Sequence, residues 1–228
     1  MTSASSHWDT SQGRDIIGRS GLTYRVLRII ALAIVKLTTR PEFVGVENIP
    51  DEPPYLLVTN HLSALDLPVL LFVFPHTIRA FAASKHKSNL LFAPILEAAR
   101  TVWVRRGEVD RQALREALNV LKRGEVLGVA PEGTRANESH ALQEAKAGAA
   151  YIATRADVPI VPVGIAGTEK IKHNLLRLRR TPVHVAVGEP FRLPETGHVR
   201  GEKLAEYTDL IMQRIADLLP VKYRGVYA

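Results

Sequence analysis

Apolar residues near the start of the chain recur every three or four positions, as one face of an α-helix requires. They run from Leu22 to Leu37, and the opposite face is basic, with Arg25, Arg28 and Lys36. These charges interrupt the apolar run short of the ~20 residues that a membrane span needs. We therefore predict an amphipathic helix over residues 21–40. Two placements stay open: in the plane of a membrane, with the cations among anionic headgroups, or packed on the protein core.

After Pro41, short apolar segments alternate with segments of helical periodicity. Strands are predicted at residues 43–46, 55–59, 78–82, 102–104, 126–130, 160–164 and 183–187. Helices are predicted at residues 62–73, 88–98, 109–122, 142–156 and 203–219. This alternation is typical of an α/β domain with a partly parallel central sheet flanked by helices.

The length of 228 residues fits one domain with a substantial core. Residues 1–20 carry no apolar run of the kind found in secretory signals and are predicted to be a flexible lead-in. No repeat or low-complexity linker divides residues 41–228, which we predict to be a single domain. Cysteine is absent, so disulfides, cysteine-ligated metals and acyl-cysteine intermediates are excluded.

The chain has a formal net charge of +7, which favours an anionic partner. Its basic residues are spread among apolar segments, with no nucleic-acid motif and no aromatic stacking platform, so we expect no nucleic-acid partner. The segment from Lys170 to Arg180 mixes cations with leucines. It is interpreted as a contact for anionic lipid or for the phosphates of coenzyme A, or as a solvated loop. No spacing typical of metal ligands is found.

A histidine and an aspartate five positions apart, His61 and Asp66, follow the predicted strand at 55–59. Open α/β sheets commonly place reactive groups beyond the carboxyl ends of their strands. An imidazole can take a proton from a hydroxyl if a carboxylate holds its other nitrogen in the required tautomer. The alternative for the pair alone is a capping aspartate beside a surface histidine.

A second polar motif, Pro131-Glu132-Gly133-Thr134-Arg135, follows the predicted strand at 126–130. Gly133 permits close approach of the backbone, Thr134 offers a hydroxyl, and the fork of Arg135 suits phosphate oxygens. Glu132 is predicted to hold Arg135. The motif is therefore a candidate anion site, with an ordinary turn containing a surface salt bridge as the alternative.

In this order the two motifs resemble the Asn-His-x-Ser-x-x-Asp and Pro-Glu-Gly-Thr-Arg blocks of the phospholipid and glycerol acyltransferase family, especially its 1-acylglycerol-3-phosphate acyltransferases. Two softer blocks, at residues 102–107 and 158–163, and the Lys-x-Gly at Lys146 are also similar to the family. The likeness runs from about Pro41 to Phe191. Departures are Ala64, Ala130, Ala136 and Arg105, the last standing at a common aspartate position.

The resemblance implies acyl transfer from acyl-CoA or acyl carrier protein to a hydroxyl of lysophosphatidic acid, giving phosphatidic acid. It implies that His61 is the base, that Asp66 orients it, and that no acyl-enzyme forms. The implied substrate-binding residues are Lys85, Arg106, Glu132, Gly133, Thr134, Arg135 and Lys146. Backbone N–H groups near Gly133 are implied as oxyanion donors.

No metal and no cofactor beyond the thioester co-substrate is expected. The implied partners are the lysophospholipid acceptor, the acyl donor and an anionic membrane surface, at the cytoplasmic face of a membrane. Two alternatives stay open. One is an acyltransferase for another lysophospholipid or for glycerol 3-phosphate, and the other is a non-catalytic module that binds membranes or lipids.

Overall fold

Seven strands form one sheet in the order β1-β7-β6-β2-β5-β3-β4 in the computed structural model, which describes residues 22–88, 93–105, 107 and 109–228. The strands are β1 Thr39–Val44, β2 Leu56–Thr59, β3 Ile78–Ala83, β4 Val102–Val104, β5 Val126–Val129, β6 Ile160–Ala166 and β7 Thr181–Val187. Neighbouring strands are parallel except β6 and β7. The predicted α/β fold with a partly parallel sheet is therefore confirmed, and the predicted lead-in at 1–20 lies outside the described residues.

Helices cover both faces of the sheet. They are α1 Leu22–Thr38, α2 Asp66–Val73, α3 Ala93–Ala98, α4 Arg111–Lys122, α5 Gly148–Ala156, α6 Ile171–Leu175 and α7 Gly201–Ala216. Short 3-10 turns lie at Val46–Asn48, Ser84–Ser88, Thr168–Lys170, Val221–Tyr223 and Gly225–Tyr227. One apolar cluster joins the sheet to α4, α5 and α7, and a second joins it to α1 and α2. Strands β2, β5 and β6 are buried along their whole length, which explains their unbroken apolar sequences.

Two predicted helices begin later than their periodicity indicated. Helix α2 begins at Asp66 rather than at residue 62, because the Asp66 carboxylate accepts the N–H groups of Leu62 and Ser63 and holds that stretch as a turn. Helix α5 begins at Gly148 rather than at residue 142, because the N–H of Lys146 donates to the carbonyl of Pro131 and the carbonyl of Leu142 accepts the N–H of Val226 in the C-terminal tail. The helix predicted at 88–98 is seen as α3, with residues 89–92 outside the described part.

Helix α1 packs on α2 through the face opposite to its main apolar stripe. Tyr24, Ala31 and Val35 are buried, and the guanidinium of Arg28 donates to the carbonyls of Phe74 and Pro75. The apolar stripe is left uncovered by the described residues: Leu22, Val26, Ile29, Ile30, Ile34 and Leu37 are exposed. The interpretation that this stripe packs on the core of the described chain is therefore wrong.

Helix α1 is 17 residues long. Among the helices that the structure describes, none has the length and apolarity needed to cross a bilayer.

Candidate active site

The two sequence motifs meet because their strands are neighbours. Strand β2 lies between β5 and β6, and all three are parallel, so their carboxyl ends share one edge of the sheet. The loop after β2 carries His61, the loop after β5 carries Glu132, and the turn after β6 carries Thr168. Three segments far apart in the sequence thus converge on one point.

His61 and Asp66 are in direct contact. The Nδ1 of His61 lies 2.8 Å from Oδ2 of Asp66, whose side chain is 4% exposed, whereas that of His61 is 28% exposed. An ionised carboxylate only accepts, so in this pair Nδ1 carries the hydrogen and Nε2 keeps its lone pair. The histidine is therefore held as the tautomer that can take a proton at Nε2, on a ring that solvent can reach.

The Asp66 carboxylate is fixed by several further donors. Oδ2 accepts the N–H of Leu62 at 2.8 Å and that of Ser63 at 2.9 Å. Oδ1 accepts the hydroxyl of Thr168 at 2.5 Å. These bonds leave the carboxylate little freedom to turn away from His61.

Thr168 is the site residue that the sequence reasoning missed. It is 1% exposed and lies 102 positions from Asp66. Gly167 before it has a φ of +98°, and a Cβ there would lie 2.4 Å from the carbonyl oxygen of Pro182, so this turn requires glycine. The sequence feature that indicates it is the Gly167-Thr168 pair directly after the apolar strand β6.

Asn60 locks the loop of His61 to strand β6. Its amide nitrogen donates to the carbonyl of Ile165 at 2.8 Å, and its amide oxygen accepts the N–H of Ile165 at 2.8 Å. Because the Asn60 side chain bonds both the N–H and the carbonyl of Ile165, the position of the His61 loop relative to strand β6 is fixed. The asparagine of the first motif is therefore structural in this fold.

Glu132 is buried and serves the backbone, so the prediction that it holds Arg135 is wrong. Oε1 accepts the N–H of His61 at 3.2 Å, and Oε2 accepts the N–H of Gln143 at 3.1 Å. Burial raises the pKa of the Glu132 carboxyl, and the two backbone bonds act in the opposite direction. Glu132 thus joins the His61 loop to the segment that contains Gln143.

The rest of the second motif forms a turn that presents basic groups. Gly133 has a φ of +69°, and a Cβ there would lie 3.2 Å from Cδ and 3.5 Å from Nζ of Lys146. Thr134, Arg135 and Lys146 are exposed. The N–H of Gly133 donates to the carbonyl of Ala130 at 3.0 Å, so this group is already engaged and the oxyanion donor expected near Gly133 is not its own N–H.

Of the other two predicted phosphate contacts, the structure describes Lys85. Lys85 is exposed in the 3-10 turn that follows β3, and β3 pairs with β5. Arg106 lies outside the described residues. The N–H of Arg105 is held by Oδ2 of Asp110 at 2.9 Å, which anchors the end of β4 at the same edge of the sheet.

The C-terminal tail ties the loops of the site together. The carbonyl of Tyr223 accepts the N–H of Leu142 at 2.9 Å, and its hydroxyl donates to Oε1 of Glu169 at 2.8 Å. The hydroxyl of Tyr227 accepts the N–H of Ala145 at 3.3 Å. The tail therefore connects the loop that bonds Glu132 to the turn that carries the partner of Asp66.

Comparisons with known proteins identify the family of the chain. The sequence model of the family described as Acyltransferase matches residues 40–166, which is more than half of the 228 residues. The chain therefore belongs to the acyltransferase family, and it is an enzyme of that class.

Individual relatives carry more specific names. The 1-acyl-sn-glycerol-3-phosphate acyltransferase of Bacillus subtilis is 26% identical over 174 residues, covering 75% of this chain and 84% of that protein. The human 1-acyl-sn-glycerol-3-phosphate acyltransferase alpha is 33% identical over 157 residues, covering 64% of this chain but only 53% of the human protein. The crystal structure of the 1-acyl-sn-glycerophosphate (LPA) acyltransferase PlsC from Thermotoga maritima is similar with a TM-score of 0.66 and 28% identity, covering 89% of this chain and 82% of that one.

Proposed function

We propose that the enzyme transfers an acyl group from an acyl thioester to a hydroxyl of lysophosphatidic acid, forming phosphatidic acid. The observation that carries the proposal is the histidine whose Nδ1 is fixed by a buried carboxylate at 2.8 Å, beside a turn with exposed cations. The acceptor is inferred from the names of the relatives, which are 1-acyl-sn-glycerol-3-phosphate acyltransferases. Acyl-CoA or acyl carrier protein is the proposed donor, and no metal or other cofactor is part of the proposal.

The reaction is a direct transfer. Nε2 of His61 takes the proton of the acceptor hydroxyl while the hydroxyl oxygen attacks the thioester carbonyl carbon. The tetrahedral adduct collapses, the carbon–sulfur bond breaks, and the imidazolium returns its proton to the leaving thiolate. No acyl-enzyme forms. Asp66 stabilises the positive charge that His61 carries between the two proton transfers.

In this proposal cations bind the phosphate of the acceptor, and the described residues carry them on the loops after β3 and β5. Arg135 and Lys146 lie at the turn of Gly133, which brings the lysine side chain against the motif. Lys85 and Arg106 complete the proposed set, with the hydroxyl of Thr134 as a further donor. Binding the phosphate holds the acceptor hydroxyl next to His61. The two groups then react in a fixed orientation instead of having to meet in solution.

The acceptor is a membrane lipid, and helix α1 offers a way to reach it. Its exposed stripe includes Leu22 at 77%, Ile29 at 66% and Leu37 at 75% exposure. A helix of this kind binds in the plane of a bilayer with the apolar stripe at the acyl boundary. We therefore place the enzyme at a membrane surface, on the cytoplasmic side where the thioester donors occur.

The experiment compares two acceptors that differ only in the phosphate: lysophosphatidic acid and the matching monoacylglycerol. Release of free thiol and the mass of the product are followed with acyl-CoA. The wild-type enzyme should favour lysophosphatidic acid, and R135Q/K146Q should lower kcat/KM for that acceptor while leaving monoacylglycerol unchanged. Lys122→Gln, an exposed cation on α4, is the matched control.

The same assay separates the alternatives. Preference for another lysophospholipid or for glycerol 3-phosphate would replace the proposed acceptor but keep the reaction. Lipid binding without any thiol release would indicate a non-catalytic module and contradict the proposal.

A further inference from the structure

A second apolar and basic surface lies between β6 and β7. We call residues 172–180 the basic leucine segment. It contains the end of α6 and the loop to β7. Leu175 is 51% exposed, Leu176 is 80% exposed and Leu178 is 94% exposed. Three large apolar side chains in one short segment therefore face solvent, which monomeric soluble surfaces rarely allow as a contiguous patch.

Local folding does not explain the most exposed of these leucines. The N–H of Arg179 bonds to the carbonyl of Asn174 at 2.9 Å, and the N–H of Leu178 bonds to that of Leu175 at 3.0 Å. This is the Schellman pattern that ends many helices, in which the left-handed residue is usually glycine. Leu178 occupies that position with a φ of +55°. Glycine would fit better, so the leucine is present despite its conformational cost and without the gain of burial.

The leucines are surrounded by positive charge. Lys172, Arg177 and Arg179 are exposed, and the sequence contains no acidic residue between Glu169 and Glu189. Cations next to exposed leucines are typical of a segment that binds an anionic bilayer. The apolar groups enter the acyl boundary, and the charges contact lipid phosphates.

The segment is continuous with the exposed stripe of α1. Strand β7 pairs with β1 in parallel, with Thr181 opposite Thr39, so the segment ends where α1 ends. Nε of Arg180 donates to the carbonyl of Thr39 at 2.8 Å, which ties the two together. Because β7 is antiparallel to β6, this junction lies at the sheet edge where β6 ends, which is the edge that also carries Thr168 and the His61–Asp66 pair.

We propose that the basic leucine segment is a second membrane-docking element, distinct from helix α1, whose occupant is an anionic bilayer surface. Two contacts, one at the helix and one at the segment, together set the orientation of the enzyme on the bilayer surface. The sheet edge that carries His61 then faces the lipid surface. The consequence for catalysis rests on the proposed function, whereas the binding does not.

The test measures co-sedimentation with vesicles of phosphatidylcholine, with and without phosphatidylglycerol. L175S/L176S/L178S should weaken partitioning by about tenfold or more, since three apolar groups are removed from the acyl boundary. K172Q/R177Q/R179Q should weaken binding to the anionic vesicles by about 100-fold at low salt and change binding to neutral vesicles little. The matched control R111Q/R115Q/K122Q removes three exposed cations from α4 and should bind better than the segment variants.

Turnover separates this proposal from the proposed function. With lysophosphatidic acid embedded in vesicles the segment variants should lose activity, and with a short-chain acceptor in solution they should keep it. If the wild-type enzyme binds vesicles through the segment but shows no turnover in either assay, the docking stands and the proposed function fails. Unchanged vesicle binding by both segment variants would overturn the docking proposal. A raised KM for acyl-CoA in solution with unchanged vesicle binding would overturn it too, by assigning the segment to the donor phosphates.

Discussion

Replacing Asp66 by asparagine removes one charge from the site while keeping its shape. One orientation of the amide preserves the hydrogen bonds: its oxygen accepts from His61 Nδ1, Leu62 N and Ser63 N, and its NH2 donates to the hydroxyl oxygen of Thr168. The fold and the histidine tautomer should therefore survive. What is lost is the negative charge next to the imidazolium that forms during transfer.

The size of the effect follows from that charge. Two opposite unit charges about 4 Å apart attract by about 4 kcal/mol at an effective dielectric constant of about 20. The His61 side chain is 28% exposed, so water screens part of this attraction. With each 1.4 kcal/mol worth about tenfold in rate, we expect kcat to fall by about 100- to 1000-fold. KM should change little, because Asp66 is buried behind the histidine.

Thiol release from acyl-CoA at saturating lysophosphatidic acid measures this change, and urea unfolding shows that the variant is folded. Asp157→Asn, at a surface ion pair with Arg192, is the matched control and should keep wild-type turnover. If D66N keeps kcat within about threefold of the wild-type value, the carboxylate does not stabilise a charged histidine and the reasoning is refuted.

Three further results are expected. Thr168→Val removes the hydroxyl donor to Asp66 and should lower kcat and reduce the free energy of unfolding by about 1.5–3 kcal/mol, measured by urea titration; unchanged kcat would assign Thr168 to stability alone. Tyr223→Phe keeps the ring but loses the bond to Glu169, and should lower kcat more than it raises KM; an unchanged kcat would show that the tail does not position the site. Burial lowers the pKa of His76, so its contribution to stability is present above its ordinary pKa of 6.5 and is lost as the pH falls through the lowered folded value. Urea titrations from neutral to mildly acidic pH should show a loss of stability that His76→Asn lacks; parallel pH profiles would contradict this.

The strands of the sheet could be predicted because each of them has its own local apolar pattern. Each of the seven predicted strands is present, and β2, β5 and β6 are apolar at nearly every position since both of their faces are covered. Helix starts were less predictable, because tertiary bonds decided them. The carboxylate of Asp66 keeps one stretch of helical periodicity out of its helix, and the carbonyl of Pro131, which accepts the N–H of Lys146, does so for another.

The contact between His61 and Asp66 was expected from the resemblance of their motif, since the spacing alone left a capping aspartate open, but the residues that support the contact were not predicted. Thr168 reaches Asp66 only because β6 lies beside β2, and strand order is not contained in the periodicity of the chain. The partners of Glu132 show the same limit. A carboxylate next to an arginine in sequence suggested an ion pair, whereas burial turned it towards two backbone N–H groups.

Amphipathic patterning also left the placement of α1 open. The pattern of an apolar stripe is the same whether the stripe meets a protein core or a bilayer. The small face with Ala31 and Val35 packs on the protein because it allows close approach to α2, and the larger apolar stripe remains outside.

In the proposed mechanism, His61 takes the proton from the acceptor hydroxyl. The most direct measurement is thiol release and product formation by His61→Ala with lysophosphatidic acid and acyl-CoA. His184→Ala, at an exposed pair with Glu42, is the control histidine. We predict that His61→Ala folds normally and has no detectable turnover while the control keeps wild-type activity. If folded His61→Ala turns over at a rate close to that of the wild-type enzyme, His61 is not the base.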